Sequence, residues 1–361
     1  MLSTKIAENK YHEVTKHSYR SVAIDPNYVD ASTQPVAFKF YPKFYRRFPL
    51  ADCPFYDFIR LTSAITFNKV YRDGSAYLRV NPSAGALYPT EIYVQLRGVK
   101  GTIDGIYHLE FANKCLTLIY ELIDDGIEAY ILPNYIVKGA IFLVSCVYYR
   151  SSWKYKNRSL RYCFLDSGHH LGAIEAAAYL YRKNLQIVFD FDKLTLNEDL
   201  GFENKEWITA SAIAGELKEK SVRRLRSPIP FVCGTDYFEP NAFVEAGYRD
   251  TVEVKSDRQL LLQPQFNYES ERFLATILNR RSARRFTQKP ISLDNFFEIV
   301  ECLKQPIPTE SFEELEIYLV VNRVEGMVGG VYRLEIPPTS LEKGGNPIPP
   351  TPLKKGAIYL W

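Results

Sequence analysis

Two adjacent side chains, Lys154 and Tyr155, offer the most evident chemistry in the sequence. An amine beside a phenol gives two groups able to move a proton. Arg158, Arg161 and Tyr162 follow, then Asp166, Gly168 and His169, so charge and aromatic surface crowd one short stretch. Nearby guanidinium charge would lower both pKa values and let either group act as a base near neutral pH. A solvated basic turn has the same composition, so residue types alone leave both readings open. A second segment, residues 81–89, reads Asn-Pro-Ser-Ala-Gly-Ala-Leu-Tyr-Pro. Pro82, Ser83, Ala84, Gly85, Ala86 and Leu87 present little side-chain bulk, which would let backbone N–H groups approach a flat ligand. A plain loop ahead of a strand would look similar. A third segment, residues 279–285, contains Arg280, Arg281, Ser282 and Arg284. Guanidinium groups grip phosphate oxygens bidentately, so this run suits a phosphate; a solvated charge run is the bland alternative.

These segments need elements to carry them. Apolar spacing predicts a helix over 54–64, buried strands over 91–96 and 141–149, and a long helix over 165–182. In that last helix Gly168, Gly172 and Ala176 fall on one ridge, suited to close packing either on the chain's own sheet or on a second copy. Ser270 and Ser292 are placed to cap helices over 271–280 and 293–303, the latter with Ile291 and Phe296 as a hydrophobic staple. The chain also repeats itself. Residues 91–110 and 316–335 share nine of 20 aligned positions, and both read as a strand, a Gly-marked turn and a second strand. The echo resumes as KGAIFL at 138–143 and KGAIYL at 355–360. The second unit therefore reads as a partial copy of the first, interrupted by a Pro-rich tract at 336–352. The predicted divisions are a leader over 1–50, a first unit over 51–221, a connector with little regular structure over 222–264, and the partial unit over 265–361. Antiparallel hairpins mixed with helices favour an α+β fold over a doubly wound parallel sheet.

Composition removes several function classes. A net charge of +3 in 361 residues is too small to argue for nucleic acid. No apolar run approaches the roughly 20 residues that a membrane helix needs, and the first ten residues are polar, so a cytoplasmic protein with no membrane association is expected. The six cysteines include no CxxC pair, and the five histidines are too poorly spaced for a metal site, so no metal is expected. Cys146 and Cys163 read as core thiols. No GxGxxG dinucleotide fingerprint is present.

Taken together, PSAGALYP before a strand and WKY-x-x-R-x-x-R-Y-x-x-x-D-x-G-H before an Ala-rich helix resemble the SagB-type dehydrogenases, azoline oxidases of the nitroreductase superfamily. Tyr11-His12-Glu13-x-Thr15-Lys16-His17 resembles the leader of that branch, and the Arg280–Arg284 run resembles the RRSxR phosphate grip of ordinary nitroreductases. The resemblance implies an FMN-dependent nitroreductase-like α+β sandwich, built as a homodimer with flavin at the interface. It implies that Arg280, Arg281, Ser282 and Arg284 hold the FMN phosphate and ribityl chain, while Ser83, Ala84, Gly85, Ala86 and Leu87, with Pro82, approach the isoalloxazine. It further implies that Lys154 and Tyr155 remove a proton from a thiazoline or oxazoline ring in a ribosomally made peptide, as the ring becomes an azole. Oxygen would be the electron acceptor and a cyclodehydratase a possible partner. The alternatives are an NAD(P)H-dependent nitroreductase or quinone reductase, and a non-catalytic module that binds a peptide or partner. One departure stands out: RRSxR follows the small-residue loop here, whereas in simple nitroreductases it precedes it.

Overall fold

The computed structural model describes residues 8–24, 29–53, 55–71, 74–252, 268–305 and 316–334. Their contacts divide them into two compact units, 8–252 with 268–281, and 282–305 with 316–334.

The first unit opens with helices α1 (Glu8–Thr15) and α2 (Tyr19–Ile24), followed by strand β1 (Arg47–Pro49) and helix α3 (Tyr56–Ser63). Next come β2 (Ile65–Tyr71), β3 (Gly74–Arg79), β4 (Thr90–Arg97), β5 (Gly105–Glu110) and β6 (Cys115–Glu121). A short α4 (Glu128–Ile131) leads to β7 (Tyr135–Cys146), α5 (Tyr149–Tyr155) and the long α6 (Ser159–Leu180). The unit ends with β8 (Gln186–Val188), α7 (Lys193–Asp199), β9 (Trp207–Glu219), α8 (Ala242–Val252) and α9 (Ser270–Asn279).

Seven strands form one sheet in the order β1-β6-β5-β4-β7-β9-β8. Every pairing in it is antiparallel. β4 is buried along its whole length, as is the second half of β7. Both faces of the sheet are covered, which is why these strands read as continuous apolar runs rather than alternating ones. Alternate residues still go to opposite sides. Ile92, Val94, Phe142 and Val144 join one core, which α3 and α6 cover with Phe58, Ile59, Leu171, Ile174 and Ala177. Tyr93, Ile141 and Leu143 join the other, with Leu196, Leu200 and Phe202.

Several sequence expectations shift. The strand predicted over 141–149 stops at Cys146, and α5 begins at Tyr149. The connector is not wholly irregular: α8 forms inside it, with Val244 and Tyr248 packed beside Leu160 and Trp207. The division between units falls after Arg281, not at residue 265, because α9 packs Leu274, Ile277 and Leu278 onto the first core. Ser270 is the first residue of α9 rather than its cap; Glu269 holds that position and makes no side-chain cap bond. The α6 glycines do not meet their own sheet, since a Cβ added at Gly168 or Gly172 would find no described atom within 4 Å.

In the second unit, helix α10 (Leu293–Leu303) lies on a hairpin of β10 (Ile317–Val321) and β11 (Gly330–Leu334). Ser292 caps α10 as expected, accepting the Asn295 N–H at 3.3 Å. The two repeated hairpins share a register: Tyr93 pairs with His108 as Tyr318 pairs with Arg333, and Leu96 with Gly105 as Val321 with Gly330. They also share a turn-closing bond, from the Tyr107 hydroxyl to the Ile103 carbonyl and from Tyr332 to Val328, each 2.7 Å. Gly101 and Gly326 both take positive φ, 85° and 75°, which glycine adopts at little cost. The 336–352 tract and the KGAIYL echo at 355–360 lie outside the described residues.

Candidate active site

The geometry starts from Trp153. This largely buried indole donates to Thr33 Oγ1 at 2.9 Å and packs with Leu87 and Tyr149 in one small cluster. The last turn of α5 is thereby fixed against the 81–89 loop. Lys154 is exposed there and Tyr155 half-buried. The Tyr155 ring lies 4.0 Å from that of Tyr162 on α6, tilted by 33°.

The loop itself is held in an unusual backbone shape. Gly85, Ala86 and Tyr88 have φ of 64°, 56° and 47°. A residue with a Cβ in this region costs roughly 1–2 kcal/mol, so Ala86 and Tyr88 need restraint from their surroundings. Restraint comes from several sides. The Ser83 hydroxyl donates to Asp166 Oδ2 at 2.5 Å, and the Ala84 N–H donates to Asp166 Oδ1 at 3.1 Å. The Tyr88 N–H donates to Ser83 Oγ at 2.9 Å. Arg150 donates to the Tyr88 carbonyl at 3.0 Å, and the Arg79 N–H donates to the Tyr88 hydroxyl at 3.1 Å.

Lys154 and Tyr155 converge on this loop. A Cβ on Gly85 would lie 2.8 Å from the Tyr155 hydroxyl oxygen and 3.4 Å from Lys154 Nζ. Two segments singled out separately in the sequence therefore meet at one glycine.

The electrostatics differ from expectation. Burial pushes the Tyr155 phenol up, and Tyr162 and Asp166 add to the shift. The arginines expected to lower it are engaged elsewhere. Arg158 donates to the Thr15 carbonyl and to the Tyr162 hydroxyl, the latter at 3.4 Å. Arg161 donates to Thr15 Oγ1 at 2.9 Å and sits over the Tyr11 ring. The leader helix α1 thus takes up both guanidinium groups, and the Tyr155 phenol is held above its ordinary value.

The arginine run is divided between the units. Arg280 donates to the carbonyls of Val80 and Arg79 at 3.2 and 3.4 Å, at the head of the small-residue loop. Arg281 donates to the Thr66 carbonyl at 2.9 Å and lies over the Phe67 ring. Ser282 and Arg284 belong to the second unit, where both are exposed.

Sequence reasoning missed other parts of this site. Asn81 is 1% exposed, yet neither Nδ2 nor Oδ1 has a hydrogen-bond partner among the described residues. Such a group costs about 1–3 kcal/mol when left unsatisfied, which marks the loop head as a place for a polar partner. Arg150 binds Glu91 at 2.6 Å and the Gly234 carbonyl at 2.7 Å, while Glu91 also meets His108 at 3.1 Å. Burial alone would raise the Glu91 carboxyl, but Arg150 and His108 bring it down to about 2. Asn81 heads the 81–89 segment picked out in the sequence, but nothing there marked its amide as unpartnered, and Arg150 was hinted at only by its nearness to Trp153. Small side chains around an exposed left-handed glycine, an orphaned amide and arginine at Val80 together fit a flat cofactor carrying a phosphate.

A solved structure from Anabaena variabilis, described as a candidate nitroreductase, superposes with a TM-score of 0.71 at 22% identity, covering 90% of this chain and 76% of that one. The fold is nitroreductase-like. A curated candidate nitroreductase of Methanocaldococcus jannaschii is 30% identical over 91 residues, 24% of this chain. The match spans 46%, about half, of that relative's length. An Escherichia coli microcin synthetase complex with a truncated precursor bound aligns at 13% identity over 61% of this chain and 84% of that chain, with a TM-score of 0.37, too low to carry an argument. No family model matches the chain. Among the described residues, no helix is long and apolar enough to cross a membrane.

Proposed function

We propose that this chain is an FMN-dependent oxidoreductase that oxidises thiazoline or oxazoline rings in a ribosomally made peptide to the azoles. The observation that carries the reading is the convergence of Lys154 and Tyr155 on Gly85. The nitroreductase-like fold supports a flavin, and the resemblance of the two motifs to azoline oxidases supports the substrate. In this reading Pro82, Ser83, Ala84, Gly85, Ala86 and Leu87 face the isoalloxazine, and Arg280 and Arg281 hold the ribityl phosphate, with Ser282 and Arg284 as further contacts. FMN, when bound, supplies a two-electron acceptor that oxygen can regenerate. The protein's own task is to orient the ring and take its acidic proton. In this reading the Lys154–Tyr155 pair takes that proton, with whichever of the two is deprotonated when the ring binds as the base and the other orienting the ring by a hydrogen bond. The proposal includes a homodimer along the open Gly168–Gly172 ridge, a peptide delivered by a cyclodehydratase, and a cytoplasmic setting.

The test is anaerobic mixing of the flavin-loaded protein with an azoline peptide. Bleaching of the flavin absorbance is expected, and a yellow protein that stays oxidised sinks the substrate assignment. Lys154→Ala with Tyr155→Phe is expected to keep FMN and lose turnover. A second reading, an NAD(P)H-dependent nitroreductase, draws on the description of the Methanocaldococcus relative. It predicts bleaching by NADPH alone, without peptide.

A further inference from the structure

Asp166 is a carboxylate that the proposed chemistry does not use. It sits on α6, 1% exposed, with no ion-pair partner among the described residues. Both oxygens are occupied by the small-residue loop, Oδ2 by the Ser83 hydroxyl at 2.5 Å and Oδ1 by the Ala84 N–H at 3.1 Å. Ser83 passes the restraint on by accepting the Tyr88 N–H at 2.9 Å. The residues so tied bracket Gly85, the point on which Lys154 and Tyr155 converge.

A purely structural tie would not need a charge. A buried carboxylate without a cation is costly, and two donors could be served by a neutral acceptor. Burial pushes the Asp166 carboxyl up, opposed by the Ser83 and Ala84 hydrogen bonds and more weakly by His169 and Arg79. The same carboxylate acts electrostatically on Tyr155, beside Tyr162. Geometry links the two as well: Asp166 holds Ser83 and Ala84 beside Gly85, whose Cβ direction ends 2.8 Å from the Tyr155 hydroxyl, so the carboxylate is fixed to the loop that meets Tyr155.

We propose that Asp166 is the positioning residue of the site: it draws the 83–86 loop onto α6, setting the loop's exposed backbone against the Lys154–Tyr155 pair, and it presents its negative charge to Tyr155. The proposal deepens the flavin reading and rests on it for the ligand, while the link to Tyr155 is a property of the protein alone.

The experiment uses the full chain with two readouts. FMN affinity is measured by fluorescence quenching on added FMN. Tyr155 ionisation is followed by NMR in protein carrying 13C at tyrosine Cζ, with the Tyr155 signal among 26 tyrosines identified by its loss in Tyr155→Phe. Asp166→Ala and Ser83→Ala are each expected to weaken FMN binding on the order of tenfold, the scale of losing a charge-assisted hydrogen bond. Asp166→Asn is expected to move the Tyr155 titration to lower pH, while Ser83→Ala leaves it in place. A folded Asp166→Asn protein with unchanged FMN affinity and unchanged Tyr155 titration overturns the proposal. If Asp166→Ala does not fold, Asp166→Asn and Ser83→Ala decide it by the same criteria. If the wild-type chain binds no FMN, the flavin reading fails on its own, and the Tyr155 titration alone upholds or overturns the role of Asp166.

Discussion

At the scale of single residues, Gly85 combines two constraints: a φ of 64° and a Cβ direction that ends on the Tyr155 hydroxyl and Lys154 Nζ. Gly85→Ala should cost about 1–2 kcal/mol from the left-handed backbone, since the clashing atoms are side-chain ends that can shift. The shift itself is the larger effect, because it displaces both proposed catalytic groups. A modest loss in melting temperature with a loss of turnover of tenfold or more is therefore expected. Turnover retained to within a factor of two would contradict it. Types and spacing in the sequence located Lys154, Tyr155 and the small-residue loop. They did not give the upward shift of Tyr155, which comes first from burial and then from Tyr162 and Asp166, with neither Arg158 nor Arg161 lowering it. Those arginines are claimed by Thr15, more than 140 residues earlier, a pairing that local composition does not encode.

At the scale of elements, three of the ionisable groups on α6 sit in three different settings. Asp166 ties the loop. His170 is fully buried between Ser63 and Thr90, and burial pushes it down to about 3, so it is neutral in the folded protein. Glu175 is pushed up to about 7 by burial alone. A carboxyl raised in the folded state binds its proton more tightly there than in the unfolded chain, so stability falls as pH rises from about 4.5 to about 7. Glu175→Gln should therefore stabilise the protein at pH 8 by about 1–2 kcal/mol, allowing for partial exposure, and make no difference below pH 4. Paired denaturant titrations at the two pH values check this, and equal effects at both would refute it. The periodicity of α6 was legible, but its start was not: the helix begins at Ser159, six residues before the predicted 165, because the charged stretch 158–162 reads as a turn until α1 is packed on it. α8 was masked in the same way by surrounding prolines, although Asn241 capping Val244 and the Val244–Tyr248 spacing were available signals.

At the scale of the whole first unit, Arg150 fastens three distant segments. It joins the Tyr88 carbonyl, the Glu91 carboxylate in the central strand, and the Gly234 carbonyl in the connector. Removing one partner of a buried ion pair leaves an uncompensated charge, which typically costs about 3–5 kcal/mol. Arg150→Ala is expected to lose that much in chemical denaturation and to speed proteolysis in the 222–241 stretch; normal stability with an intact connector would show that Glu91 has another counterion. The α+β class and the hairpins were readable because they rest on local patterning. Buried charge pairs were not, since each joins residues far apart in sequence.

The two matched hairpins have a consequence for how the chain folds. With one register and one kind of turn, β4 could in principle pair with β11, and β10 with β5. Each native pairing closes a loop of only seven or eight residues, whereas a crossed pairing of β4 with β11 would close one of more than two hundred. The entropy of closure favours the native partner by about 3 kcal/mol. Proximity along the chain thus acts as proofreading between duplicate strands, a safeguard that vanishes between separate molecules, where either copy is an equally good template.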